Sequence, residues 1–283
     1  MPAAREDIRD FLRREPAVIL VEVTGAAGST PRDTDAWMLV SERSIFATIG
    51  GGQLEFHCID IARHMLSDDA EDQLLDIPLG PQMGQCCGGR VRVSLRHASA
   101  AEIALFGSRE KAEAAARPPV LIFGAGHTGR ALAKALAPLP VSVSLVDDRD
   151  GVMSGLPSVV TCIRMADPVD AIANAPARAA FVILSHSHAL DYRLAEAALA
   201  RGDAAYVGMI GSATKRARFE SSFLRAGGRR ETLARLTCPI GGSDVDDKRP
   251  EVIAALTAAE LVRCLLGRRE PARRRKARHE SAA

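Results

Sequence analysis

The run Val120-Leu121-Ile122-Phe123-Gly124-Ala125-Gly126-His127-Thr128-Gly129-Arg130-Ala131-Leu132 constrains this chain more than any other. An apolar, β-branched stretch meets G-x-G-x-x-G, and a helix-forming stretch follows at once. Gly124 permits the tight turn. Gly126 lets a diphosphate approach the backbone, and Gly129 lets helix and strand pack closely. The helix start offers free N–H groups and the positive end of its dipole to an anion. About twenty residues on, the next apolar run ends in Asp147-Asp148-Arg149, where an acid takes a ribose hydroxyl. The glycine triplet alone is weak evidence. Strand, helix and acid together predict a Rossmann-type domain. Binding of NAD is a separate question, because Arg149 can accept a phosphate and a fold does not fix a ligand.

The rhythm around this motif sets the domain organisation. Val120–Phe123, Val141–Val146, Val159–Ile163, Phe181–Leu184 and Tyr206–Ile210 are short apolar runs, mostly separated by helical segments. That is the pattern of a doubly wound parallel sheet. The final helix is expected over Pro250–Leu266, with proline where its missing N–H does no harm. Arg117-Pro118-Pro119 stops an alanine-rich helix begun near Ala98 and marks a boundary. The expected domains are therefore 1–117, 118–267 and a tail, 268–283.

The first domain reads differently. A charged amphipathic helix carries Ile8, Phe11 and Leu12. Strands are expected at 17–24, 37–40, 45–49, 74–77 and 91–95. A helix over 53–66 has the apolar stripe Leu54, Cys58, Ile61 and Met65. The fold class is thus α/β: an α+β domain with a mixed or antiparallel sheet, then a Rossmann-like domain.

Composition excludes several classes. The chain has 283 residues and 47% are apolar, enough for two cores. With one Trp and 4% aromatics it is poorly equipped to stack nucleic-acid bases. No run approaches the ~20 apolar residues of a membrane span, and no signal segment opens the chain. A cytoplasmic location is expected. The six cysteines show neither C-x-x-C nor zinc-finger spacing, so reduced thiols are expected. Cys162 and Cys264 lie in apolar runs and are expected in the core. From Arg268 the tail carries seven cations against two acids. Its +5 leaves the body near −3 of a whole-chain +2, and its lack of apolar periodicity predicts a disordered, solvated end.

Three glycine-rich turns in the first domain ask for more than a dehydrogenase. Gly28-Ser29-Thr30-Pro31-Arg32 combines hydroxyls and backbone N–H groups with an arginine, a phosphate clamp. Gly50-Gly51-Gly52-Gln53 opens a helix, a second anion-favouring geometry; Glu55 in its first turn is expected to cap free N–H groups. Gly84-Gln85-Cys86-Cys87-Gly88-Gly89 places two adjacent thiols between glycines. A disulfide between neighbours closes a strained ring, so the doublet reads as a soft ligand. Cys86, nearer the first glycine turn, is the choice for a metal contact. Phosphate anchors plus a soft sulfur suggest a phosphorylated organometallic cofactor.

Further candidates sit at the strand ends of the second domain. In an extended segment His186 and His188 would face one side, and with Asp191 they could hold a metal or move a proton. Ser212 with Lys215, Arg216 and Arg218 at a helix start suits an anion; the alternative is a solvated basic face. Cys238-Pro-Ile-Gly-Gly is a small-residue turn whose thiol either faces the same crevice or packs.

Seven motifs occur in one order: GSTPR at 28–32, TIGGGQLE at 48–55, GQCCGG at 84–89, LIFGAGHTGRAL at 121–132, SHSHALDY at 185–192, IGSATKRARF at 210–219 and CPIGG at 238–242. Together they resemble the XdhC/CoxF-type accessory proteins of molybdenum hydroxylases, over nearly the whole chain except the tail. The resemblance implies a chaperone, not an enzyme. It would bind the molybdenum cofactor (Mo-molybdopterin), take part in its sulfuration with an L-cysteine desulfurase, and deliver it to apo xanthine dehydrogenase. The cofactor-binding candidates are then Cys86, Cys87, Ser29, Thr30, Arg32, Gly50, Gly51, Gly52, Gln53, Gly124, Gly126, Gly129, Asp147, His186, His188, Lys215 and Arg216. A homodimer is compatible with this reading; nucleic acid and membrane are not expected partners. The family's CPIG segment often continues Leu-Asp, whereas here Gly242-Ser243-Asp244 follows, a departure from that pattern. The alternative is an NAD(P)-dependent oxidoreductase using Gly124–Gly129, with His186 or His188 as proton carrier.

Overall fold

The computed structural model describes residues 8–28, 36–79 and 89–267. Backbone contacts divide the chain into two compact units, Glu6–Glu113 and Ala114 onward.

The first unit is built on a five-stranded sheet of order β3-β2-β1-β5-β4, with β1 at Ile19–Ala27, β2 at Trp37–Val40, β3 at Ile45–Ala47, β4 at Gln73–Pro78 and β5 at Arg90–His97. Every pairing is antiparallel, so of the two sheet types expected the antiparallel one forms. In β5, Val91, Val93 and Leu95 are buried between exposed Arg90 and Arg92 and half-buried Ser94 and Arg96, the period-two pattern of a strand with one face on a core. Helix α2, Gly52–Asp68, lays Leu54, Cys58, Ile59, Ala62 and Met65 on that face. Ile61, expected in the stripe, is only half-buried at its flank, and Ile59 and Ala62 take its place. The other face receives Ile8 and Phe11 of α1, Ile8–Arg14, and Phe106 of α3, Ala100–Ala116, against Leu20 and Leu39. That two-sided cover explains why Ile19, Leu20 and Val21 are buried in succession.

The second unit holds a six-stranded sheet of order β11-β10-β9-β6-β7-β8, parallel throughout. The strands are β6, Pro119–Phe123; β7, Ser142–Asp147; β8, Thr161–Arg164; β9, Ala180–Ile183; β10, Tyr206–Met209; and β11, Leu236–Thr237. The order reverses between β6 and β9, the point where such folds open a crevice beyond the strand ends. β6, β9 and β10 read as continuous apolar runs because apolar clusters lie on both faces. Helix α4, His127–Leu136, shares one cluster with α9, Pro250–Leu266. The opposite face carries α5 (Val169–Ala173), α6 (His188–Ala200), α7 (Ala213–Arg225) and α8 (Arg230–Leu233). Two-residue β11 is too short to announce itself in sequence.

Cys162 and Cys264 correct an expectation: both are exposed, while among the described residues Cys58 and Cys238 are the buried thiols. Cys162 sits on the edge strand β8, exposed like its neighbour Thr161. Cys264 falls on the outward side of α9 near its end, its thiol 3.3 Å from the Ala205 carbonyl. Apolar neighbours in sequence do not bury a residue when the element has one wet face.

Candidate functional site

The glycine loop of the second unit has the geometry its sequence demands. Gly124 takes φ +113, and a Cβ there would meet the Leu184 carbonyl oxygen at 2.2 Å. A Cβ on Gly129 would lie 1.9 Å from the Gly124 carbonyl oxygen, so α4 packs against the loop only because that residue is glycine. At Gly126 a Cβ would meet none of the described atoms within 4 Å, so the loop's mouth is open to an approaching group.

Asp147 does something other than wait for a ribose. Its side chain is buried, and its carboxylate accepts four hydrogen bonds. Oδ2 takes the Ala125 N–H at 2.6 Å and Arg149 Nη2 at 2.9 Å; Oδ1 takes the Arg149 N–H and Nε, each at 2.9 Å. A carboxylate has about four acceptor positions, and these contacts fill them. Burial alone would raise the Asp147 pKa. The hydrogen bonds from Arg149 and Ala125 and the guanidinium charge outweigh it, holding the carboxyl well below the usual carboxylate range. The crevice beside it, between Gly124, Asp148, Ser185 and His186, has only about 10 Å³ of space.

One strand further on, the β9 and β10 ends frame a larger cleft of about 330 Å³. At its floor Asp191 and Lys215 are paired, and both are nearly buried. Lys215 Nζ donates to Asp191 Oδ2 and to the Ile210 carbonyl at 2.8 Å. Asp191 Oδ1 accepts the Ser185 N–H at 2.9 Å and the Ser185 hydroxyl at 2.7 Å. His186 and His188 line the same cleft. They do not share an extended face: Ser187 caps α6 and His188 is its first residue. His186 Nδ1 is 3.7 Å from Asp148, and Asp191 faces inward to Lys215. Among the described residues no cluster of three His, Cys, Asp or Glu side chains could hold a metal. Arg216 is likewise engaged within the chain, with Glu220 and the Cys238 carbonyl. Cys238 packs in the core, and burial raises its pKa.

In the first unit, Gly50, Gly51 and Gly52 all have positive φ and lead into α2. Glu55 reaches back over them. Its Oε2 accepts the Ile49 N–H at 3.1 Å, the Gly51 N–H at 3.0 Å and the Thr48 hydroxyl. The Gly50 N–H goes to Thr48 Oγ1 at 3.1 Å. The anion this helix start attracts is therefore the chain's own carboxylate. Gln53, beside Glu55, is exposed in the first turn of α2. Ser29, Thr30, Arg32, Cys86 and Cys87 lie outside the described residues.

Sequence reasoning missed two arrangements. It offered Arg149 to a ligand phosphate, where the structure gives it to Asp147. It also placed Lys215 and Asp191 in separate candidate groups; 24 residues apart, they carry no spacing signal for a pair.

A family model of the XdhC Rossmann domain matches residues 120–261. The chain belongs to the XdhC family. The model of the XdhC and CoxI family matches residues 11–77. Escherichia coli K12 YqeB, described as uncharacterized, is 26% identical over 252 residues, covering 86% of this chain and 42% of YqeB. The chain thus spans less than half of that relative's length. A crystal structure described as a xanthine dehydrogenase from Bacillus halodurans superposes with a TM-score of 0.73 at 16% identity, covering 94% of this chain and 97% of that one. At that identity the likeness speaks for the fold. Among the described residues no helix is long and apolar enough to cross a membrane.

Proposed function

We propose that this XdhC-family chain binds the molybdenum cofactor, supports its sulfuration with an L-cysteine desulfurase, and hands it to the molybdenum-binding subunit of apo xanthine dehydrogenase. The supporting observation is the glycine loop of a family-matched Rossmann domain whose acid is already taken. With four donors on its carboxylate, Asp147 has no acceptor position left for a ribose diol. That weighs against an oxidoreductase reading in which Asp147 holds the ribose of NAD, and leaves that role to the neighbouring Asp148 alone.

Parts of the described structure fit a phosphate-bearing cofactor and parts do not. The mouth at Gly126 is open, and the cleft at Ser185–Lys215 has room and donors. The Gly50–Gly52 turn fits less well than its sequence suggests, because Glu55 holds the N–H groups a phosphate would need. When bound, the cofactor supplies the molybdenum chemistry. The chain's part is to hold its phosphate, offer a thiol and keep water away from a labile centre. Cys86 and Cys87 are the thiols proposed for that contact.

Pterin analysis of protein purified from cells that make the cofactor tests the proposal. Bound molybdopterin near one per chain is expected, falling sharply when Cys86 and Cys87 are both replaced by Ala. Tight NADH binding with no pterin present would overturn it in favour of the oxidoreductase.

A further inference from the structure

We propose that the groove along α7 is a docking surface for an acidic segment of a partner protein. It goes beyond the cofactor proposal and does not depend on it. The groove shares only His188, Ser212 and Lys215 with the cleft offered to the cofactor's phosphate.

Charge is unevenly spread over the chain. Residues 213–237 hold seven Lys or Arg against two Glu, a net +5, and the rest of residues 1–267 is left at −8. Part of the positive charge is matched within the fold. Lys215 pairs with Asp191, Arg216 with Glu220 and Arg229 with Glu231. Arg235 donates to the Ala204 carbonyl. Arg218, Arg225 and Arg230 are exposed and have no acidic partner among the described residues. Two of these three, Arg218 and Arg225, line one groove of about 530 Å³ that has no acid among its described lining.

Helical spacing makes the two arginines one surface. Thr214, Arg218, Ser221, Ser222 and Arg225 fall at i, i+4, i+7, i+8 and i+11, on one side of α7. A solvated basic helix face carries acids at i,i+3 or i,i+4 that offset its cations. Arg216 has such an acid in Glu220. On the groove side the neighbours of Arg218 at that spacing are hydroxyls and Lys215, so nothing on α7 offsets the two arginines. Arg225 Nε bonds the Ser221 carbonyl at 3.3 Å, which sets its side chain back along the helix. Seven residues at ~1.5 Å each put Arg218 and Arg225 about 10 Å apart along the axis. The chemistry that fits is a pair of carboxylates at about that separation, each taking guanidinium and hydroxyl donors. Other anionic partners fit less well. Tyr192 is the one phenol or indole ring among the described lining. Its hydroxyl donates to the Lys215 carbonyl and its ring lies 5.3 Å from Phe219, so it is not free to stack a base. No aliphatic side chain is among the described lining, so a membrane surface finds no apolar anchor there.

Titration of the full chain with a decaglutamate peptide, followed by amide NMR, tests the surface. Saturable shifts are expected at Thr214, Arg218, Ser221, Ser222 and Arg225, with affinity falling as salt is raised past about 0.1 M. Arg218→Ala and Arg225→Ala should each weaken the peptide about two- to fivefold, the worth of one exposed ion pair. Arg218→Glu and Arg225→Glu together should weaken it about tenfold or more. Both side chains are exposed, so these changes leave the fold in place. Arg230→Ala removes the same charge outside the groove lining and should leave the affinity unchanged. Shifts confined to residues 268–283, absence of saturation, or an Arg230→Ala loss equal to that of Arg218→Ala would overturn the groove. So would an unchanged affinity in the double variant. A DNA duplex or phosphatidylserine vesicles binding the same residues more tightly than the peptide would overturn the protein-segment assignment. Bound pterin in the purified protein is a separate readout, so failure here and failure of the cofactor proposal can be told apart.

Discussion

The two glycine-rich loops, Gly50–Gly52 and Gly124–Gly129, solve one electrostatic problem in different ways. Each opens a helix, and each gives backbone N–H to a negative charge from the chain itself, Ile49 and Gly51 at the first and Ala125 at the second. At the first loop that charge is Glu55, one turn into the helix it serves and only half-buried. At the second it is Asp147, 22 residues from Ala125, buried at the end of the next strand and clamped by Arg149. A local, half-exposed carboxylate can rotate away and yield its place to a ligand. A buried carboxylate with four donors cannot do so without leaving Arg149 and Ala125 unpaired. A glycine loop before a helix therefore does not by itself make an anion site; what already occupies it decides.

The largest expected effect breaks the second loop sterically. Gly129→Ala puts a methyl group 1.9 Å from the Gly124 carbonyl oxygen, with Leu184 at 2.8 Å behind it. Backbone does not yield cheaply, so a loss of about 3 kcal/mol or more is expected in urea denaturation, as for other overpacked sites. Gly126→Ala, three residues earlier, meets no described atom within 4 Å at φ −69. It should stay within about 0.5 kcal/mol of the parent, as for substitutions that meet nothing. Equal losses in the two variants would mean that the loop is not packed as described.

The next effect is electrostatic. Asp147→Asn removes the charge facing Arg149 and turns an acceptor into a donor toward N–H groups, at a cost of about 2–3 kcal/mol for hydrogen bonds to a charged group. The pH dependence gives the sign. The folded pKa of Asp147 is depressed, so its contribution is fully present above the unfolded value of about 3.9 and is lost as pH falls through the folded one. The variant should lose stability at pH 7 and show a shallower loss than the parent below about pH 4. An unchanged acid limb in the urea midpoint would show that Asp147 is not the clamp.

The same contrast explains what the sequence could and could not disclose. The Rossmann-like sheet was legible because the β6–loop–α4 fingerprint and the short apolar runs are local patterns. Glu55 was legible as a cap for the same reason: Thr48, the glycines and the glutamate lie within one motif. Asp147 was legible as an acid at a strand end, but its partners were not, since Ala125 and Arg149 compete with any ligand and only the folded geometry shows that they win. Lys215 and Arg216 looked like free cations beside Ser212. The fold pairs one with Asp191 and the other with Glu220. Cys162 and Cys264 failed for a related reason, because an apolar run records composition and not which side of an element is wet.

The smallest effect belongs to the first loop, and it sharpens the comparison most. Glu55→Gln keeps one carbonyl oxygen that can still accept from Gly51 or Ile49, and loses the charge at the start of α2. The helix-dipole contribution of a half-exposed acid in a first turn is about 0.3–1 kcal/mol, and the Ile49, Gly51 and Thr48 contacts all converge on one oxygen, which the amide carbonyl can replace. A fall in stability of no more than about 1 kcal/mol is expected, against about 2–3 for Asp147→Asn, when both are measured in the same buffer. Raised salt should narrow the Glu55 difference, because Glu55 is only half-buried, and leave the buried Asp147 difference largely intact. Equal losses, or equal salt dependence, would mean that Glu55 is as fixed as Asp147. The first loop would then be no more open to a displacing phosphate than the second.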